Sequence, residues 1–434
     1  MRLSHTETFI IPVIRTRISQ HTFIAYSPLS DTCCLIDQSG VDLLHTLADS
    51  FFSGEPNEGY PEWAKELLDY DFPAVRKMLR QSPQEYTTLS LLPNLMCNFR
   101  CQYCYSAQGR SHTQITREEL RKALNFFIDP QRICPQTIKM FVSGGGEPLL
   151  SWETIKYALE YAYERARRYG FTLWVSFITN GAILEEEILH TLKTYACSVC
   201  VSFEVLPELQ EHLRGQYEKV SQHIISYGKA GIPVMLNSTI TPFSVDRMQE
   251  MVEEVLKTYP FVRNYTLEPV TDHTLFGSPG EMREFYRKFA THYRAIKELY
   301  GKEKTSLWFS LDEMADTMKM RYCPGKLCLT PQGTFSICHC ASSPREDRYK
   351  KCVYGSVTEE GVTFDTEKFR QLMDLNVLHK EKCRDCFTKW NCGGECMTRA
   401  DQYPEAYMEE VCHFNREWLR TQLEQRISEA YTED

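Results

Sequence analysis

One segment, Cys97-Asn98-Phe99-Arg100-Cys101-Gln102-Tyr103-Cys104, places three thiols at the spacing C-x3-C-x2-C. It follows a strand-like run from Thr88 to Leu92. Thiolates are the usual protein ligands of iron–sulfur clusters, and such a cluster normally takes four ligands. A zinc site or a disulfide fragment is the alternative, but structural zinc needs paired half-sites that close to four ligands. These three cysteines have no fourth cysteine nearby. They therefore predict an iron–sulfur cluster in which one iron is open to a ligand that is not protein.

Composition limits the classes of protein that this chain can be. The 434 residues suggest two or three domains, and the formal charge of −9 argues against a nucleic-acid binder. The longest apolar stretches are strand-sized, so neither a signal peptide nor a membrane span is expected. Eighteen cysteines without an export signal indicate metal rather than disulfides. We therefore expect a reducing cytoplasm as the location.

Residues 1–83 are predicted to be a small α+β unit. Strand-like runs come first, at Phe9–Ile14, Thr22–Tyr26 and Cys33–Ile36. Helical segments follow, at Val41–Phe52, Tyr60–Leu68 and Phe72–Leu79. Turn residues separate these segments, because glycine, proline and asparagine interrupt helices and strands.

Residues 86–310 alternate between strands and amphipathic helices. The strand-like runs are Thr88–Leu92, Ile138–Val142, Leu173–Ile178, Val199–Phe203, Val234–Ile240 and Tyr265–Val270. Glu118–Phe127 and Glu153–Arg168 are two of the helical stretches between them. Repeated βα units predict a parallel α/β sheet with right-handed crossovers, and ligands gather at the carboxyl ends of its strands.

The cysteine segment resembles the C-x3-C-x-aromatic-C signature of the radical S-adenosylmethionine (radical SAM) enzymes. The resemblance implies a partial (β/α)6 TIM-like barrel, whose open iron binds SAM. The reduced cluster then cleaves SAM to methionine and a 5′-deoxyadenosyl radical. The segment Gly144-Gly145-Gly146-Glu147-Pro148 matches the family's G-G-E-P motif, which implies SAM contacts for Gly145, Gly146 and Glu147. The resemblance also implies that Tyr103 lies beside the adenine.

Three further segments follow predicted strands. Thr179-Asn180-Gly181 matches a T-N-G motif of the family or is simply a turn. Ser202 is a candidate for the SAM ribose or carboxylate, although Glu204 and Val205 replace the Asp-Gly usual in relatives. Arg214 resembles an arginine that pairs with the SAM carboxylate, and a solvated helix arginine is the alternative.

A second set of cysteines occupies residues 320–420, and it resembles the seven-cysteine SPASM extension spacing for spacing. The resemblance implies two auxiliary 4Fe–4S clusters, three clusters in all. The implied ligands are Cys323, Cys338 and Cys396 for the first, and Cys383, Cys386, Cys392 and Cys412 for the second. Cys328 is an additional thiol that could complete the first cluster. A zinc ribbon is the alternative for Cys383 to Cys396, and residues 421–434 are predicted to be a C-terminal helix or tail.

These resemblances imply a maturase of ribosomally synthesised peptides, which abstracts a hydrogen and installs a thioether or carbon–carbon cross-link. Residues 1–83 then resemble a winged-helix element that binds the leader of a precursor peptide by strand addition. The alternative is that they only pack against the barrel. The implied electron donor is a flavodoxin or ferredoxin, and the sequence ranks no catalytic base. The alternatives are an anaerobic sulfatase-maturating enzyme and a non-catalytic electron carrier or peptide-binding accessory protein.

Overall fold

The computed structural model describes residues 1–3, 6–13, 22–53, 59–70, 75 and 78–430. They fall into two units. The first contains residues 1–80, 311–324 and 373–434, and the second contains residues 81–310 and 325–372. These units differ from the predicted division of the C-terminal region, because residues 325–372 group with the predicted barrel. That the four predicted segments act as separate functional domains stays a prediction.

The first unit begins with an antiparallel sheet. Its strands are β1 (Phe9–Pro12), β2 (Phe23–Ser27) and β3 (Thr32–Ile36), in the order β1-β2-β3. Two helices follow, α1 (Gln38–Ser53) and α2 (Glu62–Glu66). Apolar side chains from the sheet and both helices form one core. The predicted strands and the first two predicted helices are confirmed, whereas most of the third predicted helix lies outside the described residues.

The second unit is built on parallel strands. These are β4 (Thr88–Leu91), β5 (Thr137–Val142), β6 (Thr172–Thr179), β7 (Ser198–Ser202), β8 (Val234–Ile240), β9 (Asn264–Pro269) and β10 (Ser306–Trp308). They lie side by side in chain order. The six predicted strands are confirmed within two residues at each end, and β10 adds a short parallel strand that the sequence did not predict.

Helices connect these strands and cover the sheet. They are α3 (Arg117–Phe127), α4 (Trp152–Tyr169), α5 (Glu186–Thr194), α6 (Pro207–Leu213), α7 (Tyr217–Lys229), α8 (Met248–Thr258) and α9 (Pro279–Tyr300). In α3 the apolar residues Leu120, Ala123, Leu124 and Phe127 are buried, which is the spacing of one helix face. A capping box between Thr116 and Glu119 starts this helix.

The sheet continues into the C-terminal part of the chain. The strands there are β11 (Leu327–Leu329), β12 (Thr334–Ser336), β13 (Val353–Val357) and β14 (Val362–Phe364). Strand β11 pairs in parallel with β4, and the other three extend the sheet in antiparallel fashion. Two helices accompany them, α10 (Tyr349–Cys352) and α11 (Thr366–Met373).

The remaining helices belong to the first unit. They are α12 (Lys389–Cys392), α13 (Met397–Gln402) and α14 (Glu405–Ala430). Helix α14 runs through residue 420 without a break, so the predicted C-terminal tail begins inside it. Across the part of the chain that the structure describes, every helix is too short or too polar to cross a membrane.

Candidate active site

The loop that carries the first three cysteines is fixed to the loop after β5. Asn94 is fully buried, and its side-chain amide donates to the carbonyl oxygen of Glu147 at 3.0 Å and to the Ser151 hydroxyl at 2.8 Å. Its side-chain oxygen accepts from the Met96 amide at 2.9 Å. Since Met96 directly precedes Cys97, these bonds define where the cysteine loop begins relative to the glycine loop.

Two glycines of the predicted motif lie where no side chain fits. A Cβ on Gly146 would lie 1.8 Å from the Met96 carbonyl oxygen. A Cβ on Gly145 would lie 2.5 Å from the Ser342 hydroxyl. At Gly146 the glycine loop therefore packs backbone against backbone with the start of the cysteine loop. Only glycine permits such a close approach.

A Gly146→Ala substitution is expected to reduce SAM cleavage about 100-fold, because the added methyl group must push the glycine loop away from Met96 by an ångström or more. Single-turnover formation of 5′-deoxyadenosine measures the effect. Gly280→Ala is the matched control, since its Cβ would meet nothing closer than 3.7 Å. Equal rates for the two variants would contradict a positioning role for this contact.

Glu147 connects the ends of two strands. Its carboxylate accepts from the Thr179 hydroxyl at 2.7 Å and from the backbone amides of Asn180 at 2.7 Å and Leu149 at 3.1 Å. Burial raises the pKa of Glu147 to about 7, and these three hydrogen bonds oppose that shift. Glu147 thus joins the Thr179-Asn180-Gly181 segment to the glycine loop, and the predicted contact of Glu147 with SAM stays a prediction.

Arg214 already has a carboxylate partner in the protein. Its Nε lies 2.8 Å from Oε1 of Glu204, which is fully buried, and its guanidinium lies over the ring of Tyr103. The Tyr103 hydroxyl donates to the same carboxylate oxygen. Burial is the main cause that raises the pKa of Tyr103. The predicted roles of Tyr103 and Arg214 toward SAM stay predictions, but Glu204 positions both side chains.

The backbone after Glu204 is strained. Val205 has φ of 63°, and the amide of Leu206 donates to the Glu204 carbonyl oxygen at 2.7 Å across it. A β-branched residue in this region is an outlier, and such a conformation costs about 1–3 kcal/mol. Val205 therefore adopts a backbone conformation that glycine would adopt easily. Ser202, the last residue of β7, is half-buried beside this turn.

The three thiols fit an iron–sulfur cluster by their chemistry. Arg110 donates to the Cys104 sulfur at 3.4 Å, and Arg214 donates to the Cys101 sulfur at 3.8 Å. Burial raises the pKa of Cys101, and the nearby Arg214 guanidinium opposes that shift. Cations beside a thiol stabilise the thiolate that binds metal. Three thiols with two such cations, next to a loop that excludes side chains, suit a cluster and one small ligand.

The cysteines predicted to hold the second auxiliary cluster lie together in the first unit. Cys386 and Cys412 are both within electrostatic range of Cys392, and Cys383 is within that range of Cys386. Burial raises the pKa of Cys392 to about 12, and Asn415 donates to its sulfur at 3.3 Å. Four thiols from α12, α14 and the turn before them thus lie in one region of this unit, and their common ligation of a cluster stays a prediction.

The predicted ligands of the first auxiliary cluster are divided between the units. Cys323 and Cys396 belong to the first unit, and Cys328 and Cys338 belong to the second. Cys328 is fully buried in β11, opposite Ser90 of β4 and Ser336 of β12. The common ligation of these cysteines stays a prediction.

Sequence reasoning missed two side chains of the site. Arg110 follows Cys104 by six residues without a motif, and its donation to the Phe99 carbonyl oxygen holds the cysteine loop closed. Glu204 stands where relatives usually carry aspartate, so no motif identified it. Its position at the carboxyl end of a strand was the signal that could have identified it.

Residues 92–255 match the family profile of the Radical SAM superfamily. The chain contains a radical SAM domain. Domains of this superfamily take a 4Fe–4S cluster and SAM, which agrees with the thiol loop and the glycine loop described above. The predicted α/β radical SAM fold is thereby confirmed.

Individual relatives extend this comparison. The chain is 28% identical over 152 residues to the radical SAM cyclopropyl synthase TigE of Paramaledivibacter caminithermalis. The match covers 32% of each chain, so it spans about a third of that relative.

Two solved structures share the fold. The structure of anSMEcpe with bound SAM has a TM-score of 0.60 at 17% identity, covering 79% of this chain and 99% of that one. The structure of Streptococcus suis SuiB bound to SAM has a TM-score of 0.51 at 14% identity, covering 94% of this chain and 98% of that one.

Proposed function

We propose that this protein is a radical SAM/SPASM maturase of a ribosomally synthesised peptide. It would abstract a hydrogen from a precursor peptide and install a thioether or carbon–carbon cross-link. One observation carries this proposal. The three-thiol loop, the glycine loop and the Glu204–Arg214 pair follow β4, β5 and β7, and they all lie at the carboxyl ends of the four consecutive strands β4 to β7. Three thiols would leave one ligand position of a cluster to SAM.

The substrate class is supported by the extent of the likeness to SuiB. That likeness covers 94% of this chain, and SuiB also has a structure bound to its precursor peptide SuiA. The name of TigE, a cyclopropyl synthase, favours carbon–carbon bond formation over thioether formation.

The residues of this chain would divide the work of binding and positioning. Cys97, Cys101 and Cys104 would hold the cluster, and the backbone of Gly145 and Gly146 would face the amino end of SAM. A cluster and SAM, when bound, supply a carbon-centred radical that abstracts hydrogen. Arg110 and Arg214 would stabilise the charge of the thiolates, because each donates to one of the sulfurs.

The leader of the precursor would pair with the edge strand β3. This strand is the last in its sheet among the described residues, and backbone pairing at a sheet edge is a known mode of peptide recognition. A flavodoxin or ferredoxin would supply the electron for turnover. The C-terminal cysteines would hold two auxiliary 4Fe–4S clusters, and these would accept the electron released on bond formation.

Reaction with the peptide encoded by a short reading frame beside the gene tests this proposal. Anaerobic turnover with SAM and dithionite should give a peptide that has lost two hydrogens and resists separation into linear fragments at the cross-link. Hydrogen exchange should slow at residues 33–36 when the unmodified precursor is added, whereas exchange in α8 should not change. A precursor that stays unmodified while SAM is cleaved would contradict the assignment.

An anaerobic sulfatase-maturating enzyme is the second candidate, supported by the likeness to anSMEcpe. That likeness covers 79% of this chain, less than the likeness to SuiB does. A sulfatase-derived peptide should be converted to an aldehyde by such an enzyme, and hydrazide labelling of the product distinguishes the two activities. A non-catalytic carrier or accessory protein would cleave no SAM at all.

A further inference from the structure

The loop that follows the three cysteines is held at both ends by arginines from the C-terminal part of the second unit. The Arg348 guanidinium donates to the carbonyl oxygen of Tyr105 at 2.6 Å, and the Arg345 guanidinium donates to that of Arg110 at 2.7 Å. Tyr105 and Arg110 are the first and last residues of this loop, the 105–110 loop. Two distant parts of the sequence thus meet within one unit.

The middle of the 105–110 loop contacts the same segment, residues 342–348, which we call the clamp. A Cβ on Gly109 would lie 2.8 Å from Oε1 of Glu346 and 2.8 Å from Cβ of Ser343. Glycine permits so close an approach between two segments because it has no side chain. Since the 105–110 loop contains turns and neither helix nor strand, its contacts with the clamp determine where it lies.

The clamp is itself held in one conformation. Glu346 is buried, and its Oε2 accepts from the backbone amides of Ser342 at 2.7 Å and Ser343 at 3.0 Å. The Arg348 side chain is only 10% exposed, and its Nε donates to the Cys340 carbonyl oxygen. A guanidinium that donates to two carbonyl oxygens through different nitrogens has a defined orientation, because its fork is planar and rigid. Arg348 therefore presents a fixed donor to the 105–110 loop.

Both ends of the 105–110 loop are connected to the Cys104 sulfur. Tyr105 directly follows Cys104, and the Arg110 guanidinium donates to the Cys104 sulfur at 3.4 Å and to the Phe99 carbonyl oxygen. Movement at either end of the loop would therefore move this sulfur or its cationic partner. The clamp lies beyond residues 92–255, which match the family profile, so it is a feature that the profile does not contain.

We propose that Arg348 is a positioning residue for the SAM chemistry of this domain. By binding the Tyr105 carbonyl oxygen, it fixes the place of the Cys104 sulfur within the cysteine loop. Arg345 has the same role at the other end of the 105–110 loop, from an exposed position. The inference rests on the radical SAM domain and does not depend on the proposed peptide substrate.

Hydrogen exchange of the full-length, anaerobically reconstituted protein tests the proposal without turnover. The amides of Ala107 and Gly109 donate across turns of the loop, to the carbonyl oxygens of Cys104 and Ser106. In Arg348→Lys the exchange of these two amides should become about tenfold faster, because an ammonium cannot replace the guanidinium fork and the loop opens more often. Exchange in β5 and α4 should stay at the wild-type rate.

A second measurement shows whether the position of the loop matters for the chemistry. Single-turnover formation of 5′-deoxyadenosine at saturating SAM should fall about tenfold in Arg348→Lys and about threefold in Arg345→Ala, at unchanged iron content. Arg345→Ala should also speed the exchange of Gly109. Arg287→Lys is the matched control, since Arg287 is exposed on α9 and pairs with Glu284. It should exchange and react as the wild type does.

Three results would overturn the proposal. The first is wild-type exchange of Ala107 and Gly109 in both variants, and the exposed position of Arg345 makes its variant a fair test even where Arg348→Lys folds poorly. The second is faster loop exchange with a wild-type rate of deoxyadenosine formation. The third is faster exchange throughout the second unit in Arg348→Lys beside a wild-type Arg345→Ala, which would mean that Arg348 only supports the fold. None of these measurements uses a peptide, so failure of the proposed maturase function would leave them unchanged.

Discussion

Replacing Cys97, Cys101 and Cys104 together by alanine should abolish the formation of 5′-deoxyadenosine from SAM. The three sulfurs lie in one loop, with Arg110 bonded to Cys104 and Arg214 to Cys101, and no other thiols of the barrel are proposed as ligands. Without these three thiols, a cluster has no proposed protein ligand at this end of the sheet. Chromatography of the products after reduction with dithionite measures the loss, and iron analysis should show about four irons fewer per chain.

Cys134→Ala is the matched control, because Cys134 is exposed and lies outside every proposed ligand set. It should cleave SAM at the wild-type rate and keep its full iron content. Sustained deoxyadenosine formation by the triple variant would mean that SAM is cleaved elsewhere in the chain. Loss of all iron from the triple variant would show instead that the auxiliary sites depend on this loop.

The cysteine and glycine loops could be predicted from sequence because their chemistry requires particular residues at particular spacings. A trio of thiols needs close spacing in one loop, and Gly146 lies where a Cβ would collide with backbone. The strands could be predicted for a related reason. A buried parallel strand must be a short apolar run, and β8 has the bounds that its pattern Val234–Ile240 indicates.

The features that sequence reasoning missed depend on contacts between distant segments. Strand β11 has only three residues, and its position is determined by pairing with Leu89–Leu91 of β4. The partnership of Glu204 with Arg214 depends on the strained turn at Val205, which brings the end of β7 next to α6. Neither a three-residue run nor a single acid carries a periodic signal that sequence could show.

The N-terminal segment was predicted as a separable domain, but it is bonded to the cysteine-rich part of its own unit. The carboxylate of Glu7 lies 2.5 Å from the Lys389 ammonium and accepts from the Trp390 indole at 2.7 Å. Tyr26 donates to the side chain of Asn391 at 2.9 Å. Deleting residues 1–83 would remove these partners at once, so point variants test the segment more cleanly than truncation does.

Glu7→Ala should destabilise the first unit by about 3–5 kcal/mol, because it leaves Lys389 as a buried charge without its carboxylate. The Lys389 side chain is only 4% exposed, and burial lowers the pKa of its ammonium. Since helix α12 carries both Lys389 and the proposed ligand Cys392, the variant should also lose iron from the second auxiliary site. Chemical denaturation followed by tryptophan fluorescence measures the first effect, and iron analysis measures the second.

Two variants show whether the buried charge is the cause. Arg2→Ala removes the partly exposed partner of Glu7 and should cost no more than about 1 kcal/mol, as surface ion pairs do. The double variant Glu7→Leu with Lys389→Met removes both buried charges and should recover much of the stability, because apolar side chains can replace a buried pair. A Glu7→Ala protein with wild-type stability would show that water reaches Lys389. In that case the Glu7–Lys389 contact would not be what stabilises the first unit, and the hydrogen bond of Tyr26 to Asn391 would be the contact that remains.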